Sequence, residues 1–274
     1  MEQNDFNNIC REYEFSEEVQ FIKETIAELE LLFKENSNFE VSEKSERDLL
    51  TTMDLAVEEK IISGINSKFP NDIILSEETA SDTRISDRCW VIDPIDGTCN
   101  YATGSPLYAV QIAFTNNKTA YVACIYFPEL DECFFALKGE GAFLNGNRIK
   151  AREETDISKM IVSLGDYNTV DEENSKMQHD AMDDLRQSVM RIRMFGASCA
   201  DFCYLAVGRT SAVVSYHFHA WDIVPGILIA EEAGAICSGV YGDELDIEGH
   251  DGLVISNSKK FNEYIINLTK SIKK

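Results

Sequence analysis

The stretch Trp90-Val91-Ile92-Asp93-Pro94-Ile95-Asp96-Gly97-Thr98-Cys99-Asn100-Tyr101 constrains this chain more than any other. A short apolar strand, Cys89 to Ile92, is predicted to run straight into two aspartates three residues apart, with Asp93-Pro94 ending it. Pro94 fixes one φ angle, and Gly97 permits positive φ or a close approach of the main chain. Carboxylates at a strand end, beside the N–H groups of a following turn or helix, make a place for cations and phosphate together. Phosphoryl transfer asks for that pair: hard oxygen ligands for magnesium, and donors for the phosphate oxygens. The competing reading is a solvated acidic turn in a chain with acids throughout, since exposed acids are the norm. The flanking strand, Pro94 and Gly97-Thr98 weigh against it. Crowded carboxylates raise one another's pKa unless cations are bound, so such a site makes physical sense only with metal.

Around this segment the periodicity predicts a mixed fold. Ser16 reads as a helix N-cap, with Glu17 and Glu18 in the first turn and Val19, Ile22, Ile26, Leu29 and Phe33 at helical spacing. A second helix is expected from about Asp54, with Leu55, Val57, Ile61, Ile62 and Ile65 inward, and Asp72 to Ser76 reads as a strand delivering Glu77-Glu78. Strands are predicted over Ala109–Phe114, Ala120–Phe127 and Cys133–Leu137, and Asn145-Gly146 signals a two-residue hairpin turn. Further on, strands at 160–164, 190–195, 210–216 and 253–256 alternate with helices at about 199–207, 222–233 and 261–272, while the polar, acid-rich stretch 166–187 covers a loop and an exposed helix. The expected fold class is therefore α/β: an α+β half over residues 1–152 and an α/β half over 153–274, packed as one unit. No Pro/Ser-rich linker separates them and no internal repeat is seen.

With 25 basic and 48 acidic residues the net charge is −23. A chain this acidic repels nucleic acid and anionic membranes, so neither is expected as a partner. An anionic substrate is repelled too, unless bound cations reverse the sign locally. The start Met1-Glu2-Gln3-Asn4-Asp5 lacks the basic and apolar regions of a signal peptide, and a cytoplasmic location is expected. The eight scattered cysteines read as free thiols, mostly buried. His217 and His219 share a predicted strand face, but no third ligand stands at zinc spacing, so packing or pocket-edge roles are expected. Arg191 and Arg193 also share a strand face, positioned either for a substrate anion or for pairing with the abundant acids. No Gly-x-x-x-x-Gly-Lys-Ser/Thr loop is present.

The collinear motifs resemble those of the inositol monophosphatase family, lithium-sensitive magnesium phosphatases that include sugar bisphosphatases and 3′-nucleotide phosphatases. Asp93-Pro94-Ile95-Asp96-Gly97-Thr98 matches that family's central motif residue for residue. Leu75-Ser76-Glu77-Glu78 resembles its Gly-Glu-Glu element with Ser76 in place of glycine. Thr51-Thr52-Met53-Asp54, Gly139 to Gly146, and Trp221-Asp222 followed by Glu232-Ala233-Gly234 complete the series. The resemblance implies a layered αβαβα sandwich and two or three Mg2+ ions. Glu77, Asp93, the Ile95 carbonyl, Asp96 and Asp222 would be the metal ligands. Thr98, oriented by Asp54, would position and deprotonate the attacking water, with Glu77 also touching it. For Asp54 and Asp222, a helix-capping role is open alongside.

The substrate implied is a small phosphomonoester: inositol monophosphate or a related sugar or polyol phosphate. The alternatives are fructose-1,6-bisphosphatase-like, 3′-nucleotide or histidinol-phosphate activity. Asp96, Gly97, Thr98, Asp166, Ser198, Ser215 and Asp222 are the expected substrate contacts, and a homodimer the expected assembly. Ser215 stands where the family's inositol enzymes carry a glutamate, and Ile223-Val224-Pro225-Gly226 replaces Ala-rich residues. The four acids at 77, 93, 96 and 222 lie far apart in sequence, so only convergence at strand ends can unite them.

Overall fold

The computed structural model describes residues 2–35, 40–45, 48–165, 172–248 and 252–273. Helices α1 (Glu2–Glu12) and α2 (Ser16–Glu35) bury Phe6, Val19, Phe21, Ile22, Ile26 and Leu29, the apolar stripe that their spacing dictates. An antiparallel pair, β1 (Val41–Ser45) and β2 (Asp48–Thr51), leads into α3 (Thr52–Lys68). That helix starts two residues before Asp54. Thr51 is its cap: the Thr51 hydroxyl accepts from Met53 N at 3.2 Å, and Thr51 N donates to Asp54 Oδ2 at 2.9 Å, a reciprocal capping box. Leu55, expected inward, is 43% exposed. The buried stripe of α3 runs through Met53, Asp54, Val57, Glu58, Ile61 and Ile65, so two carboxylates occupy places that hydrophobic periodicity alone would assign to apolar residues.

Seven strands follow: β3 (Ile73–Ser76), β4 (Arg88–Asp96), β5 (Ala109–Asn116), β6 (Thr119–Phe127), β7 (Glu132–Leu137), β8 (Gly141–Leu144) and β9 (Asn147–Ile149). They form one sheet in chain order, parallel only between β3 and β4; α4 (Thr98–Thr103) interrupts the run. The turn at Asn145-Gly146 has both residues at positive φ (49° and 77°), as a primed hairpin turn requires. A second sheet has the order β11-β10-β12-β14-β13, from β10 (Ile161–Leu164), β11 (Arg191–Arg193), β12 (Ala212–Ser215), β13 (Ile236–Gly239) and β14 (Leu253–Ser256). Its helices are α5 (Glu172–Ser188), α6 (Ser198–Ala206), α7 (Ala220–Glu232) and α8 (Lys259–Ile272). Strand β11 is shorter than the predicted 190–195 because it lies at the sheet edge, and Gly196 turns away at φ +73°.

Burial defines five layers. Helices α1 to α3 pack on one face of the seven-stranded sheet, through Trp90, Ile92 and Phe114. The other face, through Cys89, Val91 and Ala113, shares a core with α6, α7 and the second sheet's Val213 and Ile255. Helices α5 and α8 cover the outer face of that second sheet. The αβαβα sandwich is thus the observed architecture. Helices α6 and α7 approach closely because Gly226 lies against Phe202; a Cβ there would stand 2.3 Å from Phe202 Cγ. Among the described residues, no helix is long and apolar enough to cross a membrane.

Candidate active site

Strand β4 does not end at Asp93-Pro94; it continues through Asp96. Its register against β5 shifts: Asp93 pairs with Gln111 and Asp96 with Ala109, so three steps on β4 span two on β5. This bulge accommodates Pro94, which cannot donate to a ladder, and it has a chemical consequence. In a regular strand, residues three apart face opposite sides. The extra residue turns Ile95 into the α1–α3 core and leaves Asp93 and Asp96 on the same side, toward α6 and α7.

Asp222 meets them from the first turn of α7, a helix start rather than the strand end expected, because β12 stops at Ser215. Asp93, Asp96 and Asp222 each offer a carboxylate oxygen within 4.8 Å of the others, the one such cluster among the described residues. Each is held separately. Asp96 accepts from Ser198 N at 3.2 Å, from Ser198 Oγ at 3.1 Å and from Cys199 N, so it caps α6 from across the molecule. Asp222 accepts from His219 N at 2.9 Å, capping its own helix as well as facing the cluster. Asp93 is 1% exposed, and its Oδ1 is buried without a hydrogen-bond partner. Burial, then the charges of Glu77, Asp96, Asp222 and Asp54, push the Asp93 carboxyl well above the usual range. Burial also raises Asp96, against the donors from α6, and raises Asp222 to about 7 with the Asp96 charge assisting.

Glu77 follows β3 and stands outside the 4.8 Å set, yet its charge is second only to burial in its effect on Asp93. Its N–H donates to the Ile92 carbonyl at 3.3 Å, extending the β3–β4 pairing to the edge of the cluster. Gly97, at φ +87°, turns the chain from β4 into α4; a Cβ there would lie 2.9 Å from Ala197 Cβ and 3.0 Å from the Leu107 carbonyl. Thr98 opens α4, and its Oγ1 lies 3.2 Å from Asp54 Oδ1 and 3.1 Å from the Ile95 carbonyl. Asp54 is 1% exposed, with a pKa raised by burial against the donors from Thr51 and Thr98.

Of the remaining expected contacts, Asp166 lies outside the described residues. The Ser198 hydroxyl is engaged with Asp96 and with the Asp222 carbonyl at 2.8 Å, bracing two cluster residues. The Ser215 hydroxyl donates to the His217 carbonyl at 2.5 Å, within its own loop. His217 and His219 are not on a strand, because β12 ends at Ser215. Their rings meet edge to face, and His219 stacks on Trp221 at 4.7 Å. Arg191 and Arg193 each donate to a main-chain carbonyl of their own segment. Two supports are not singled out by the sequence: Gln111, opposite Asp93 and without a local signal, donates to Ser198 Oγ at 3.1 Å, and Glu58 grips the turn after β3. For Glu58 a faint signal exists, its position one helical turn after Asp54.

A family model for the inositol monophosphatase family matches residues 12–274. The chain belongs to that family. As a member of the inositol monophosphatase family it is a phosphatase, a phosphoric monoester hydrolase. An inositol monophosphatase of Dictyostelium discoideum is 36% identical over 213 residues, 76% of this chain and 78% of that protein. A fructose-1,6-bisphosphatase/inositol-1-monophosphatase of Thermotoga maritima is 31% identical over 198 residues, 72% of this chain and 74% of that one. A solved IMPase/NADP phosphatase, complexed with Mg2+ and phosphate, shares the fold at 21% identity with a TM-score of 0.80, covering 91% of this chain and 93% of that one.

Proposed function

We propose that the chain hydrolyses a small phosphomonoester with magnesium, the substrate being inositol monophosphate or a related sugar or polyol phosphate. The observation that carries this is the buried Asp93 oxygen without a partner, within reach of Asp96 and Asp222 and beside the Thr98–Asp54 pair. A buried carboxylate left so is costly unless a cation satisfies it. The donor set is all oxygen, from carboxylates and a carbonyl, which suits a hard divalent ion. Glu77, Asp93, the Ile95 carbonyl, Asp96 and Asp222 would hold magnesium, which supplies charge neutralisation for phosphate and acidifies water.

The chain's own residues provide the proton path. Thr98 Oγ1 carries one proton. When that proton is directed at Asp54 Oδ1, the Thr98 oxygen is free to accept from a water. Thr51 holds the other Asp54 oxygen, so the base cannot swing away, and burial raises its basicity. Attack then passes a water proton to Thr98 Oγ1 as the Thr98 proton moves to Asp54. Gly97 and Thr98 sit at the start of α4, where first-turn N–H groups have no intrahelical acceptor and can meet phosphate oxygens. The name of the Thermotoga relative supports a second reading, a sugar bisphosphate substrate.

The test is phosphate release from a panel of inositol, sugar, sugar-bisphosphate, nucleotide and histidinol phosphates. Release should vanish in excess chelator, return with millimolar-scale magnesium, fall with calcium and be inhibited by lithium. Asp93→Asn should lose at least about 10²-fold in kcat, the scale of a lost transition-state electrostatic contact. Turnover in chelator at the magnesium rate would reject the proposal.

A further inference from the structure

The same face of α3 that holds Asp54 carries a second buried carboxylate. Glu58 is one helical turn on, four residues after Asp54, and the two are 2% and 1% exposed. Its Oε1 receives three donors: the Ser76 hydroxyl, Glu78 N at 3.2 Å and Thr79 N at 3.1 Å. These donors flank Glu77 on both sides. Main-chain N–H groups converging on a carboxylate fix a turn as an N-cap fixes a helix start. Ala80 N closes the same turn on the Ser76 carbonyl at 3.2 Å, and Glu77 N anchors it to Ile92 of β4.

We infer that Glu58 is a positioning residue for Glu77, and that α3 sets the spacing between the two halves of the chemistry. Asp54 orients Thr98; Glu58, about one turn along the same rigid helix, orients the turn that aims Glu77 at the cluster. Ser76 is the matching element. Its hydroxyl adds a third donor to Glu58, giving this turn a side-chain lock that a glycine at the same position would lack. The inference rests on the proposed role of Glu77 as a metal ligand, and it assigns Glu58 no contact with substrate or metal.

The experiment uses the full-length protein stripped of metal. Hydrogen exchange reads the turn directly: Glu58→Ala should speed exchange of the Glu78 and Thr79 amides at least tenfold, while Glu58→Gln, which keeps the acceptor, should restore most of the protection. Binding of Mn2+ alone, followed by the free-ion EPR signal without substrate, should weaken about tenfold in Glu58→Ala and by less than threefold in Glu58→Gln. Ser76→Ala, the milder variant should Glu58→Ala fold poorly, should shift both readouts in the same direction. Ile65→Val, on the same helix but away from the turn, should lower thermal stability and leave Mn2+ affinity unchanged. Glu77→Gln separates the two levels of the argument. Wild-type Mn2+ affinity in Glu77→Gln would remove the ligand role itself. Loss there, with wild-type affinity and exchange in both Glu58→Ala and Ser76→Ala, would overturn the positioning role alone.

Discussion

Asp222 shows how one residue serves two ends that pull against each other. As the third residue of α7 its carboxylate accepts from His219 N, which favours the ionised form. Burial and the neighbouring Asp96 charge oppose this more strongly and lift its pKa from 3.8 to about 7. In the metal-free protein, the folded state therefore keeps a proton between about pH 4 and 7 that the unfolded chain gives up. Stability from this group is full below that window and is lost as pH rises through it. Urea unfolding in chelator should show wild-type stability falling from pH 5 to pH 8 by on the order of 1–2 kcal/mol more than Asp222→Asn, following the linkage of pKa to stability. Saturating magnesium should abolish that difference, because a cation favours the ionised carboxylates. Equal pH slopes in the two metal-free proteins would mean that Asp222 ionises freely in the fold.

At the level of elements, the cluster depends on how α6 and α7 meet. The N-terminus of α6 is capped by Asp96 and the first turn of α7 carries Asp222, so a change in their packing moves two site residues at once. Gly226→Ala would force its Cβ against the Phe202 ring and should cost about 1–3 kcal/mol of stability, the usual penalty for overpacking a core. The same variant should bind magnesium more weakly. Phe202→Leu in the Gly226→Ala background should recover part of both losses, as chemical denaturation and metal titration would measure. Unchanged metal affinity in a destabilised Gly226→Ala protein would uncouple the helix contact from the site. This contact also marks where the sequence stops being legible. The aspartates at 93, 96 and 222, with Thr98 and Asp54, stand in local motifs, and most strands and helices follow from apolar spacing. The bulge that turns Asp93 and Asp96 to one side does not: Asp-Pro reads as a strand stop, while the register against β5 that carries the strand onward is a tertiary property. Leu55 failed for a related reason, because Asp54 and Glu58 take the buried stripe of α3 for the site. Strands β1, β2 and β13 left no clear pattern, being only four or five residues long.

The whole molecule contributes through its net charge of −23, a field that the cluster cannot escape. Such a field concentrates divalent cations near the surface and repels a phosphorylated substrate, and salt screens both effects over a Debye length of about 10 Å at 0.1 M. The two influences separate if magnesium and substrate are varied independently. At low ionic strength the protein's own charge assists magnesium binding, so the half-saturating magnesium concentration should rise several-fold between about 10 and 200 mM potassium chloride. The kcat at saturating magnesium should stay nearly constant, because Asp93 and Asp96 are buried and far less screened than surface acids. KM for the phosphomonoester, measured at saturating magnesium, should move the opposite way and fall as salt rises, since screening removes a repulsion. A half-saturation constant that does not respond to salt would show that the cluster alone sets metal affinity and that the acidic surface has no part in it. If KM rose with salt instead, the filled site would dominate the long-range field and draw the anionic substrate in.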